Sequence, residues 1–305
     1  MTQNRAHPMT SYAFEVAYDA IMQVGECPLW HPEEAALYWV DIEGFAVHRL
    51  DPSSGAHQQW RMATEPSALA RSASGGLIVA LRSGLIHLNA RDGSLHDIAP
   101  APYNTGTCRF NDGRADAAGR FWIGTLYEPR DAPLAQMFCL ERGVLKLVWS
   151  GGMTVSNGLG FSPDQRTLYH ADTTAHRVNQ YDFDVATGNV SRPRLLHQFS
   201  ADKAHRYGGR PDGAAVDSEG NYWCAMFEGG RLLRLSPDGA ILSEIAMPLR
   251  CPTMLAFGGA DLRTLYITSA SAKRPGAELA KYPLTGRLLS LRVDVPGREE
   301  PAYIE

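Results

Sequence analysis

The sequence predicts an all-β protein, a six-bladed β-propeller with four-stranded blades around a central channel. Three observations predict it. One phrase occurs six times: a short strand opened by a small or polar residue, a turn, then an aromatic or β-branched strand. The copies follow one another at intervals of about 41 to 55 residues. Amphipathic helical runs are absent from almost the whole chain, which argues against a solenoid of helix pairs.

The copies read GECPLWHPEEAALYWVD from Gly25, PSALARSASGGLIVAL from Pro66 and RFNDGRADAAGRFWIG from Arg109. They continue as SNGLGFSPDQRTLYHA from Ser156, RPDGAAVDSEGNYWCA from Arg210 and CPTMLAFGGADLRTLYIT from Cys251. Further strand-turn-strand stretches lie between them. VHRLDPSSGAHQQW, IHLNARDGSLHDI, VNQYDFDVATGNV and LLRLSPDGAILSEI each carry a turn with Gly between alternating strands. That gives four strands per repeat, the pattern of a propeller. A pair of β-sandwiches is the competing architecture, and six such regular phrases argue against it. FEVAYD, from Phe14, is expected to complete the last blade and hide its edge. Residues 1–305 are expected to form one domain, with 1–14 as a loosely ordered extension.

Composition narrows the function classes. Hydrophobic residues make up 44% and charged residues 20%, so the chain is globular and not disordered. The net charge is −4 with no basic stripe, which argues against nucleic acid or an anionic membrane as partner. No apolar run approaches the roughly 20 residues that span a bilayer. MTQNRAHPMTSYAF has no apolar segment of the kind a secretion signal needs. Cys27, Cys108, Cys139, Cys224 and Cys251 are odd in number and form no CxxC, which favours reduced thiols in the cytoplasm.

In a propeller the innermost strands line the channel, so their equivalent positions converge at its mouth. Aligned on their turns, the six phrases place Glu26, Ser67, Asn111, Asn157, Asp212 and Met254 there. Small or apolar residues would suffice in so narrow a space. Carboxylates facing one another are costly unless a cation or hydrogen bonds compensate. Glu26, Asn157 and Asp212 offer hard oxygen ligands that suit Ca²⁺, Mg²⁺ or Mn²⁺ and tolerate Zn²⁺. Asn-Gly or Asp-Gly alone is ordinary turn chemistry; three such donors at matched positions are more than that. Strand alternation points Asn111 to the channel and Asp112 away from it, as a loop brace. Arg109 is expected to reach the mouth with a charged fork. His170 reads as a core histidine, and Cys27 and Cys108 read as space-fillers pointing away from the channel. GxSxG, HExxH and a phosphate-binding Gly loop are all missing.

GECPLW, RFNDGRADAAGRFWIGT, SNGLGFSPDQRTLYHADT and RPDGAAVDSEGNYW resemble the gluconolactonase family, which includes regucalcin. ELAKYPLTGRLLSLRVDVPG, from Glu278, resembles that family's closing stretch. The resemblance runs from about residue 15 to 298. It implies a six-bladed propeller with one divalent metal in the channel and hydrolysis of sugar lactones. It implies Glu26, Asn157 and Asp212 as metal ligands, with Asp212 as candidate base, and Arg109 and Asn111 as substrate contacts. An acidic residue often follows the GT that ends the third phrase; here the segment is GTLYEPRDAP, and Glu128 is the candidate for binding sugar hydroxyls. The position after SNGL, often Asp in the family, is Gly160. The expectations are therefore a cytoplasmic lactonase, monomer or weak homodimer, with one divalent ion, Ca²⁺ first, and a small sugar lactone as partner. A phosphotriesterase, a strictosidine-synthase-like propeller and a metal-binding or ligand-sensing protein without turnover are the alternatives.

Overall fold

The computed structural model describes residues 12–205 and 207–305. Six four-stranded antiparallel sheets form the blades of a closed ring. The inner strands are Gly25–His31, Pro66–Arg71, Cys108–Ala115, Ser156–Phe161, Arg210–Val216 and Pro252–Gly258, in blades 1 to 6. Each inner strand packs on those of its two neighbours, and blade 6 closes onto blade 1. The strand Glu15–Tyr18 pairs with Leu288–Arg292 and supplies the outer strand of blade 6. The ring is therefore closed by both ends of the chain, as FEVAYD led one to expect. The proposed extension 1–14 lies mostly outside the described residues. One short helix, Gly276–Lys281, follows the second strand of blade 6.

The repeated phrase has a structural reason. In RADAAGRFW, Asp116 is fully buried at the turn. It accepts the backbone N–H groups of Ala118 and Arg120 and the indole N–H of Trp122. In AVDSEGNYW, Asp217 takes the N–H groups of Glu219 and Asn221 and the indole of Trp223 in the same way. One carboxylate thus ties the turn to the aromatic strand beyond it. Such a buried acceptor is tolerated because all its lone pairs are used.

Candidate active site

The site lies where the regular ladders break. Every pairing between an inner strand and the next carries a bulge near its start. A bulge re-aims side chains, so residues that simple alternation would separate turn together into the channel. Glu26, Asn111, Asn157 and Asp212 all sit at these breaks. The bulge in blade 4 uses Gly158 at φ +56°. A Cβ there would collide with the Tyr222 hydroxyl at 2.1 Å. Blade 1 reaches a similar backbone with Cys27 at φ +45°. Its thiol points into blade 2, 3.1 Å from Leu69 N, as a packing group. Left-handed backbone, not alternation, turns it away from the mouth.

Glu26, Arg109, Asn111, Asn157 and Asp212 line one cavity of about 280 Å³. A hydrogen-bond chain runs through them. Arg109 Nη1 donates to Asn111 Oδ1 at 2.7 Å. Asn111 Nδ2 donates to Asn157 Oδ1 at 2.6 Å, and Asn157 Nδ2 donates to Asp212 Oδ1 at 2.6 Å. Thr173 accepts the second Asn157 N–H bond and donates to Pro211 O. Loops upstream are braced by carboxylates. Asp41 accepts the N–H groups of Gln23 and Val24, just before Glu26. Asp172 accepts those of Thr154 and Val155, just before Asn157.

Two alignment positions differ from expectation. Ser67 bonds back to Ala80 O within its own blade and does not line the cavity. In blade 6 the bulge turns Thr253, not Met254, to the mouth. Thr253 donates to Gly25 O, while Met254 packs deeper beneath Gly213. Asp112 braces no loop: it accepts the Leu159 N–H from the neighbouring inner strand of blade 4, with its other oxygen buried and unpartnered. His170 is a buried core residue, as expected.

Glu128 stands apart from the deep cavity. Arg82 grips its carboxylate in a fork, at 2.6 and 3.0 Å. It lines an adjoining outer shelf that shares Arg109 and Arg130 with the cavity. Sequence reading passed over Thr173, Thr253, Arg130 and Arg210, which line the cavity too. Arg210 was within reach of the alignment, since it precedes Asp212 by two residues as Arg109 precedes Asn111.

The charges decide what the cavity can hold. Burial pushes the Glu26 and Asp212 carboxyls up, and neighbouring carboxylates add to the effect: Asp212 and Asp112 for Glu26, Asp112 for Asp212. Burial pulls the pKa of the Arg109 guanidinium below the usual arginine range. Neither Glu26 nor Asp212 has a salt-bridge partner among the described residues. Glu26 Oε2 has Cys27 N–H, and Asp212 Oδ1 has the Asn157 carboxamide. A part-buried carboxylate, a buried one and a carboxamide, with no salt bridge to a cation of the chain, fit a hard divalent ion. Among the described residues no three His, Cys, Asp or Glu converge at ligand spacing, so any such ion leans on the carboxamide and on solvent or substrate.

Comparison with known proteins agrees. Residues 24–271 match the model of the SMP-30/Gluconolactonase/LRE-like region. The chain belongs to this family. A protein of Pseudomonas putida named 6-deoxy-6-sulfogluconolactonase is 47% identical over 92% of this chain and 94% of its own. Pentonolactonase XacC of Haloferax volcanii is 34% identical over 92% and 95%. The crystal structure of regucalcin from Agrobacterium tumefaciens, described as a calcium-binding protein, superposes with TM-score 0.91 at 26% identity, covering 98% and 99%. These relatives bear out the propeller, the family and the expectation of a lactone-hydrolysing enzyme.

Proposed function

We propose that this protein hydrolyses a sugar lactone with the help of one divalent ion, Ca²⁺ first, held by Glu26, Asn157 and Asp212. The observation that carries the reading is the pair of carboxylates, part-buried Glu26 and buried Asp212, in one cavity with no cation of the chain salt-bridged to either among the described residues. When bound, such an ion polarises an ester carbonyl and stabilises the charge that develops on its oxygen.

The chain's own groups supply the rest. Asp212 sits at the end of the hydrogen-bond chain and orients the attacking water, taking its proton as the C–O bond forms. The ring C–O bond then breaks, and the proton passes to the departing ring oxygen. Asn111 and Arg109 hold oxygens of the substrate, and Glu128, in the grip of Arg82, meets hydroxyls at the outer shelf. The cavity wall includes five cations and four carboxylates. That suits a polar, hydroxyl-bearing lactone better than an apolar phosphotriester. The relatives named for sulfogluconolactone and pentonolactone support a sugar lactone as the substrate. Among the described residues no helix is long and apolar enough to cross a membrane.

The test is proton release by metal-stripped protein on aldono-1,4- and 1,5-lactones, with Ca²⁺, Mg²⁺, Mn²⁺ or Zn²⁺ returned one at a time. Asp212→Ala protein serves as the blank for spontaneous opening. Turnover above that blank that depends on the metal supports the reading. Tight metal binding without turnover of any lactone overturns it in favour of a binding protein.

A further inference from the structure

The cavity carries more positive charge than a neutral lactone needs. Its five lining cations are Arg109, Arg130, Arg210, Lys273 and Arg274. Of the four lining carboxylates, Glu26 and Asp212 are committed to the metal, and Glu43 is bridged by Lys273 at 2.9 Å. Glu228 alone remains, and three cations share it: Arg210 at 3.2 Å, Arg274 at 3.5 Å and Lys203 at 3.7 Å. Arg274 has a second partner in Glu278. Arg109 and Arg130 have no carboxylate partner among the described residues.

Two of these groups are poised for a ligand. Arg130 projects exposed from the turn Tyr127–Arg130, with its backbone left-handed at φ +57°. It lines both the deep cavity and the outer shelf. Arg210 is part-buried against the Phe227 ring, and its Nε is buried with no hydrogen-bond partner. Arg130, without a carboxylate partner, and Arg210, whose Nε remains free beside its contact with Glu228, match the forked acceptors of a tetrahedral oxyanion. The carboxylate made by lactone opening does not account for them, because it forms at the carbonyl carbon beside Glu26 and Asp212.

We infer that this mouth binds a strongly acidic oxyanion, a sulfonate or phosphate, carried by the substrate on the end remote from the lactone carbonyl, with Arg130 and Arg210 as its contacts. The inference rests on the lactonase reading for its substrate, and its test separates the two. The measurement is kcat/KM of calcium-loaded protein for gluconolactone and for its 6-sulfonate and 6-phosphate counterparts, in wild type and Arg130→Gln. Arg130 is exposed and Gln keeps a side chain at the same left-handed position, so the fold stays intact. Wild type is expected to favour a charged lactone by at least about ten-fold, and that ratio to fall about ten-fold in the variant. The larger of the sulfonate and phosphate ratios names the group. Equal ratios in the two proteins overturn the inference. Should wild type open no lactone, the lactonase reading fails, and calorimetry of calcium-loaded protein with 6-sulfogluconate, 6-phosphogluconate and gluconate decides the subsite by itself. Tighter binding of a charged acid that weakens in Arg130→Gln upholds the subsite; equal affinities sink it.

Discussion

The two ends of the central channel are built from the same six strands and differ in nearly every chemical respect. At the mouth, the starts of the inner strands are bulged, and two carboxylates, Glu26 and Asp212, face the cavity with no salt bridge to either among the described residues. At the floor the charges are answered. Arg114 donates to Leu159 O at 2.7 Å and to Ala214 O at 2.6 Å, joining blade 3 to blades 4 and 5, and it pairs with Glu300. The C-terminal segment seals this end. Tyr303 is buried, takes Arg71 O with its N–H, and accepts Gly143 N–H at its hydroxyl. Arg71 pairs with Glu33 and Glu299. Satisfied buried groups stabilise or at least do not harm; unsatisfied ones cost stability and do chemistry. The floor holds the ring together, and the mouth is held open for a ligand.

Substitution separates the two roles. Asp212→Ala at the mouth is expected to lower kcat/KM on a lactone by about 10²–10⁴-fold while leaving the fold intact, since it removes a buried charge that lacked a cation. Arg114→Met at the floor is expected to do the reverse. It strands the Leu159 and Ala214 carbonyls and the Glu300 carboxylate, at a cost of about 3–5 kcal/mol. Denaturant titration reads that loss, and the activity of the protein that stays folded is expected to remain within a few-fold of wild type. A large stability loss in Asp212→Ala, or a lost activity in fully folded Arg114→Met, would erase the distinction.

The loop braces test how the mouth is kept in place. Asp41 does not itself line the cavity but fixes the backbone two to three residues before Glu26. Asp41→Ala is expected to weaken calcium affinity by about ten- to hundred-fold, as removal of a ligand's support does. Thermal titration with the metal measures it. An unchanged affinity would mean that the bulge alone aims Glu26.

How far each end was legible in the sequence follows from the same contrast. The repeat exposes the blades because turn, Gly and aromatic recur at fixed offsets, and the mouth residues because they break that repeat with polar groups. Glu26, Asn111, Asn157 and Asp212 stand together for that reason. Thr253 was hidden because a bulge shifts register by a residue, and alignment by turns cannot see it. The floor was hidden altogether. Arg114 lies in the repeat as one charged residue among many, and its partners are backbone carbonyls of other blades. Tyr303 and Glu300 lie in a tail outside any repeat, whose docking depends on contacts more than 150 residues away in sequence.

The wall between the two ends supplies the smallest effect and the finest test. His170, beside Ser156 at 2.9 Å and against Trp149, has its imidazole held down to about 3 by burial first and by the charge of Arg177 second. His48, stacked on Trp39 and 3.0 Å from His57, is held down to about 4 by burial and by the charge of His57. Both stay neutral in the folded state while the unfolded chain takes up protons below about pH 6.5. Stability is thus fully present above that pH and falls on acidification, by up to about 1.4 kcal/mol per pH unit for each group, until each folded imidazole itself titrates. Denaturant midpoints at pH 7, 6 and 5 for wild type and His170→Gln measure the share of one group. The variant is expected to show a shallower slope than wild type by about the contribution of one histidine. Identical slopes would place the acid sensitivity elsewhere, at His48 and its neighbours on the rim of blade 1.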